Sequence, residues 1–225
     1  MRYYHSDDGP LFNNTVFNRT ELIKYIYKKY NYSSYLEIGY GRGENWSQLQ
    51  FIQNKVCIDP NVNTHFVLKQ TSDTFFEDNK QKFDLIFIDG DHSAEQVYKD
   101  VLNSLKCLND GGTILTHDNN PPEFAHEDLS ACGSSWRTIP VLRTRDDLNI
   151  CTFIGDLGVG IIKKEKNKNL LKLNKSDDLY DTINQNLTHP NFSLFKYEFL
   201  QERRHELLNL LTLEQTLEWL DGGQK

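Results

Sequence analysis

Apolar positions fall in short blocks along the chain, and their spacing switches between helical and strand-like. Leu22, Ile23, Ile26, Tyr27 and Tyr30 recur at helical spacing and predict a helix over 20–30, with Thr20 able to cap it. The block 35–39 ends in glycine and reads as a strand, and 46–52 reads as a helix. Residues 55–59 form a second strand, stopped by Pro60, and 65–68 a third. The block 83–89 is almost continuously apolar, as expected of a strand buried on both faces of a parallel sheet. Val97, Val101, Leu102, Leu105 and Leu108 then mark an amphipathic helix, with Ser93 and Gln96 spaced as a capping box. Residues 113–118 form the next strand, 136–142 a helix interrupted by Pro140, and 149–154 and 159–163 two closing strands.

Strands alternating with helices predict an α/β fold: a doubly wound, Rossmann-like, mostly parallel seven-stranded sheet with helices on both faces. Residues 1–30 read as an N-terminal arm and helix, 31–164 as the main domain, and 165–225 as a linker followed by a C-terminal helical extension. That extension could pack on the main domain or on a second copy of the chain, as a homo-oligomer contact. A chain of 225 residues is long enough to bury a core without staples.

Charge narrows the partners. Lys and Arg number 25 against 32 Asp and Glu, a formal charge of −7, which argues against nucleic acid despite the Lys-rich stretch 163–175. No apolar run approaches the roughly 18–20 residues of a membrane span, and the first residues lack the apolar stretch of a signal peptide. Cys57, Cys107, Cys132 and Cys151 have neither zinc-site nor disulfide-framework spacing, so free thiols and a cytoplasmic location are expected.

The chemistry concentrates at three strand ends. After the first main-domain strand comes Glu37-Ile38-Gly39-Tyr40-Gly41-Arg42-Gly43, whose glycines permit a sharp turn and close approach to a ligand. Asp59 ends the next strand, where a carboxylate can accept both hydroxyls of a ribose. The spacing E-x-G-x-G-x-G departs from the G-x-G-x-x-G of dinucleotide folds, and Glu37 suits a cationic ligand rather than a phosphate.

These residues resemble the class I S-adenosylmethionine-dependent methyltransferases. The resemblance implies that Glu37, Gly39, Tyr40, Gly41 and Gly43 cradle the amino-acid part of the cofactor, that Asp59 holds its ribose, and that Ser72 and Asp73 lie beside its adenine, with Asp89 also at the cofactor.

Asp89-Gly90-Asp91-His92-Ser93 and Thr116-His117-Asp118-Asn119-Asn120 end the next two strands, on the side where open α/β sheets bind ligands. Their oxygen donors suit Mg²⁺, which could lower the pKa of an acceptor hydroxyl. Asp-Gly-Asp-His-Ser, then an amphipathic helix, Gly-Gly, a strand and Asp-Asn, resembles small-molecule O-methyltransferases, including those acting on sugars and, more distantly, the catechol and caffeoyl-CoA enzymes. That resemblance implies a metal on Asp89, Asp118 and Asn119 and a general base at His92, where the catechol-type enzymes carry Lys; His117 is the rival base. Asp91, Trp136 and Arg137 are candidates for the acceptor side. Each has a plainer reading: Asp91 and Ser93 as helix caps, residues 118–122 as a polar turn, and Trp136 as core.

The implied function is methyl transfer from S-adenosylmethionine to a hydroxyl of a small molecule, a sugar or glycan first. The alternatives are a metal-independent methyltransferase of the same fold, and a nucleotide-binding oxidoreductase or non-catalytic scaffold.

Overall fold

The computed structural model describes residues 11–12, 15–173, 180 and 190–222; the rest of the expected arm and of the linker lies outside them. The strands are β1 (Leu11–Phe12), β2 (Thr15–Val16), β3 (Ser34–Ile38), β4 (Asn54–Ile58), β5 (Phe83–Ile88), β6 (Leu108–Thr116), β7 (Asn149–Phe153), β8 (Val159–Lys163) and β9 (Leu210–Leu211). The helices are α1 (Arg19–Lys29), α2 (Glu44–Gln48), α3 (Ser72–Asp78), α4 (Ala94–Cys107), α5 (Thr138–Leu142), α6 (Tyr197–Leu208) and α7 (Leu213–Leu220).

β1 and β2 form a separate antiparallel ladder. The other seven strands make one sheet in the order β4-β3-β5-β6-β8-β7-β9. β8 is antiparallel to both its neighbours, β6 and β7, and the other neighbouring pairs are parallel, so β8 alone runs against the rest. The register is tight at the centre, with Leu36 beside Ile86 and Ile86 beside Ile114.

The period-two alternation of the strands sorts their side chains into two cores. Leu36, Ile38, Ile86, Ile88, Ile114 and Ile162 face one side, against α4, α5 and α6. Tyr35, Leu85, Phe87, Leu115 and Ile161 face the other, with Leu22, Ile23 and Ile26 of α1 and Leu213 and Leu220 of α7. Each central strand is thus buried on both faces, which is why β5 reads as an unbroken apolar run.

The structure corrects several local expectations. Asn18, not Thr20, caps α1 by accepting from the Glu21 amide at 3.2 Å; Thr20 is buried and bonded to Asn45. Residues 65–68 are not a strand of the sheet: Leu68 makes a single bridge to Ile58, and the seventh strand is β9, from the C-terminal extension. Ser93 does cap α4, but Gln96 turns away from the reciprocal half of a capping box toward Ser72, Asp73 and Asp100. Pro140 limits α5 to five residues preceded by a 3₁₀ turn. The C-terminal extension packs on the main sheet of its own chain: β9 pairs with β7, and α6 and α7 bury their leucines on opposite faces. No helix among the described residues is long and apolar enough to cross a membrane. All four cysteines are free and buried.

Candidate active site

The ends of β3, β4 and β5 open into a cavity of about 550 Å³, within the range of small-ligand sites. Its lining includes Gly39, Gly41, Asp59, Ser72, Asp73, Asp89, Asp91 and His92. Gly39 has φ +92°, and a Cβ there would sit 2.0 Å from the Asp89 carbonyl oxygen. Only glycine lets the loop leave β3 this close to β5. Asp59 ties the loop to β4, accepting from the Tyr40 amide at 3.0 Å through one oxygen and from the Asn61 amide at 2.8 Å through the other. A carboxylate has lone pairs to spare after two such bonds, so Asp59 can still accept from a ligand. Tyr40 itself folds back over Gly43 rather than lining this cavity.

Ser72 and Asp73 start α3 and are held by one group: Gln96 Nε2 donates to Ser72 Oγ at 3.1 Å, to Asp73 Oδ1 at 3.2 Å and to Asp100 Oδ1 at 3.0 Å. Burial pushes the Asp100 carboxyl up to about 6. Gln96 and Asp100 also line the cavity. In the sequence Gln96 reads only as the capping-box partner of Ser93, and nothing singles out Asp100.

Asp89 and His92, which line the cavity, and Asp118, buried behind them, place ligand atoms within 4.8 Å of one another. His92 Nδ1 is bonded to the Ala131 carbonyl, which fixes the tautomer and leaves Nε2 facing Asp89 Oδ1 at 3.7 Å and Asp118 Oδ2 at 3.4 Å. Asp89 raises the His92 pKa, burial opposes this, and Asp118 adds to the rise. Asp118 sits in the left-handed region at φ +60°, a conformation Asp tolerates better than most residues. Asn119 is fully buried; its Nδ2 donates to Thr116 and to the His117 carbonyl, and its Oδ1 has no partner. Two carboxylates and one imidazole nitrogen this close form a donor set that fits a divalent cation, and Asn119, next along the chain from Asp118, carries a further unpartnered oxygen.

His117 does not fit the role of base. Its Nδ1 lies 3.2 Å from both Asp89 Oδ1 and Asp118 Oδ2, and its Nε2 donates to the Asp156 carbonyl at 2.9 Å. Burial favours the neutral ring, but Asp118 and Asp89, with Asp156 behind, hold its pKa well above the ordinary value. Nε2 is spent on a carbonyl and Nδ1 is turned between two carboxylates, and the ring does not line the cavity, so neither nitrogen is placed to take a proton from an acceptor there. Burial also acts against the charge on Asp89, yet His117, then His92 and Arg19, keep it far below the usual carboxylate range.

Trp136 and Arg137 are a second correction. Trp136 is fully buried, packed edge-on against Phe195, with its indole N–H donating to Glu127 Oε1 at 2.7 Å. Arg137 donates to the same oxygen at 2.9 Å. Neither lines the cavity; together they brace the segment whose Ala131 and Ser134 hold His92. Asp91 is exposed at the cavity rim and accepts from the Ser93 amide at 2.7 Å, an Asx turn leading into the Ser93 cap, while still facing the cavity.

Two residues that sequence reasoning missed, Arg19 and Asp156, complete the charge network. Asp156, in the turn between β7 and β8, is fully buried and accepts from the Arg19 amide at 2.7 Å and from its Nη1 at 3.1 Å. Burial works against its charge, but His117 and Arg19 hold its pKa at about 2. Asp156 and Leu157 both have positive φ, and this turn clasps the 118–120 loop through backbone bonds from Asn119 and Asn120. Glu37 lies on the α1 face of β3, almost fully buried, and accepts from the Tyr35 hydroxyl at 3.0 Å. Burial pushes its carboxyl up to about 8, so without a ligand it is largely protonated at neutral pH.

Residues 35–119 match the family model described as a methyltransferase domain, a segment holding the glycine loop, Asp59 and the Asp89–Asn119 cluster. No curated protein matches the chain. Among solved structures, the SAH-bound methyltransferase PaMTH1 of Podospora anserina aligns at 15% identity with a TM-score of 0.52, over 66% of this chain and 78% of that one. Cofactor-bound Rv0187 from MTB aligns at 14% identity with a TM-score of 0.52, over 72% and 87%. A Staphylococcus aureus protein described as a caffeoyl-CoA O-methyltransferase aligns at 16% identity with a TM-score of 0.50, over 70% and 87%. With the sheet order, the glycine loop on β3 and the cavity at the strand ends, these likenesses give the chain the Rossmann-like methyltransferase fold.

Proposed function

We propose that the protein transfers a methyl group from S-adenosylmethionine to a hydroxyl of a small-molecule acceptor. The observation that carries this reading is the composition of one cavity: the glycine loop, Asp59 and the Ser72–Asp73 corner share its walls with Asp89 and His92. A nucleoside-bearing cofactor is accommodated along the first set of residues, and a deprotonating group stands at the second. S-adenosylmethionine supplies an activated methyl: a carbon–oxygen bond forms as the sulfonium carbon–sulfur bond breaks, leaving a thioether. The protein's tasks are to align the acceptor oxygen and remove its proton. His92 Nε2 is the accepting atom, with the tautomer set by Ala131. Asp89 and Asp118 face the resulting imidazolium and stabilise it.

Asp89 and Asp118, with Asn119 Oδ1 or His92 Nε2 beside them, would hold a divalent ion, which when bound supplies Lewis-acid activation of the acceptor hydroxyl. One observation favours a metal-free reading: His117 Nδ1 already lies 3.2 Å from both carboxylates and engages oxygens that a metal would need. A sugar or glycan acceptor rests on the resemblance of the Asp89–Ser93 motif, and the expectation of a small molecule rather than nucleic acid rests on the net charge of −7.

The test is transfer of isotopically labelled methyl from S-adenosylmethionine to a panel of sugar, catechol and amine acceptors, with and without EDTA. Labelled O-methyl product that is lost on His92→Ala supports the reading. Loss with EDTA and recovery with Mg²⁺ assigns the metal-dependent form. No transfer to any hydroxyl, with transfer to an amine, overturns O-methylation.

A further inference from the structure

Beside the main cavity lies a smaller one of about 60 Å³, whose walls include Arg19, Glu37, Gly39, Gly41 and Asp89. The two cavities share Gly39, Gly41 and Asp89, so they form one groove around the glycine loop. The small cavity has room for the end of a chain, not for a ring. Two arginines line it: Arg42 is exposed on the glycine loop itself, whereas Arg19 is half-buried, precedes the loop and lies outside the segment matched by the family model.

Arg19 is placed by contacts that leave donors over. Its Nη1 spends itself on both oxygens of Asp156 and its Nη2 bonds Glu44 Oε2 at 2.9 Å, while Nε is buried without a hydrogen-bond partner, 3.9 Å from Asp89 Oδ2. A guanidinium carries five N–H donors in a rigid fork. The burial of Leu22, Ile23 and Ile26 and the Thr20–Asn45 bond fix α1, and hence Arg19, relative to the loop.

We infer that Arg19 binds the carboxylate of the cofactor's amino-acid end, seated in this small cavity, with Glu37 and Asp89 facing the ammonium of the same group. The inference rests on the proposed cofactor and adds a residue to its site. Both charges of an α-amino acid are needed for the match. A carboxylate alone would meet Asp156, Glu44 and Asp89 around the Arg19 guanidinium, and the adjacent ammonium offsets that repulsion.

The experiment titrates wild type and Arg19→Gln calorimetrically with S-adenosylhomocysteine and with 5′-methylthioadenosine, which keeps the nucleoside and lacks the amino-acid end. Arg19→Gln should weaken S-adenosylhomocysteine by about tenfold or more, the size of a lost charge-assisted hydrogen bond, and leave 5′-methylthioadenosine within about twofold. Equal loss of both ligands, or of neither, overturns the inference. Wild-type protein that is folded yet binds neither ligand removes the cofactor reading, and the anchor with it. If Arg19→Gln fails to fold, Arg19→Lys provides the same comparison. Keeping the charge without the fork, it should lose part of the S-adenosylhomocysteine affinity and none of that for 5′-methylthioadenosine.

Discussion

At the scale of single residues, the site is a set of charges whose burial decides their protonation. Asp156 is the clearest stabilising member. Its folded pKa of about 2 lies below the ordinary 3.8, so its contribution is complete above about pH 4 and is lost as pH falls toward 2. The loss should be about 2 kcal/mol from this group. Asp156→Ala should destabilise by about 2–3 kcal/mol at neutral pH, because the Arg19 amide and Nη1 lose their buried acceptor while Glu44 and Asp89 still face the guanidinium. Chemical denaturation of both proteins from pH 2.5 to 7 checks both figures; a variant that matches wild type at pH 7 would contradict them. Glu37 works in the opposite direction. Its folded pKa of about 8 exceeds the ordinary 4.5, so folding takes up a proton between these values and stability falls as pH rises through them. Glu37→Gln should flatten that slope. An ammonium arriving beside Glu37 should also expel its proton, so S-adenosylhomocysteine binding at pH 7 should release close to one proton. Calorimetry in buffers of different ionisation enthalpy measures this, and binding heats independent of buffer would refute it.

At the scale of elements, the loops at the strand ends were legible because strands and loops obey different rules. Short apolar runs mark β3, β4 and β5, and glycine or a carboxylate follows each run, so the sequence alone places Gly39, Asp59 and Asp89 at one edge. The glycines are not equivalent. A Cβ on Gly39 meets the Asp89 backbone, whereas one on Gly41 has nothing within 4 Å and only a positive φ to tolerate. Gly39→Ala should therefore abolish cofactor binding and lower stability, while Gly41→Ala should cost roughly 1–2 kcal/mol, the penalty of a left-handed alanine. Side-by-side melting curves and titrations test the ranking, which fails if Gly41→Ala is the more damaging. Asp156 and Arg19 were not legible. They are 137 residues apart, each sits in a segment that reads as a plain turn or helix start, and only the packing of α1 against the sheet brings them together. Trp136 illustrates the converse, an aromatic near the site that the fold uses as core.

At the scale of the whole molecule, the sheet is not complete without its C-terminal segment. β9 is two residues long, too short for any periodic signal, yet it covers the edge of β7, and the helices on either side of it fill opposite cores. Truncation after residue 208 would uncover that edge and strip Leu213 and Leu220 from the α1 side. The truncated protein should unfold at lower denaturant or aggregate, as sedimentation and melting would show; a truncated chain as stable as the full one would mean the strand is dispensable. The same architecture sets six strands with their C-terminal ends toward one edge, where the cavity, the charge network and the β7–β8 turn converge. The central claim is that this edge binds S-adenosylmethionine. Calorimetric titration of the full chain with S-adenosylhomocysteine, with Asp59→Ala as the paired variant and NADH as the competing ligand, tests it most directly. The account predicts saturable binding of S-adenosylhomocysteine, strongly weakened in Asp59→Ala, and no binding of NADH. Folded wild-type protein that takes up NADH, or neither ligand, would contradict it.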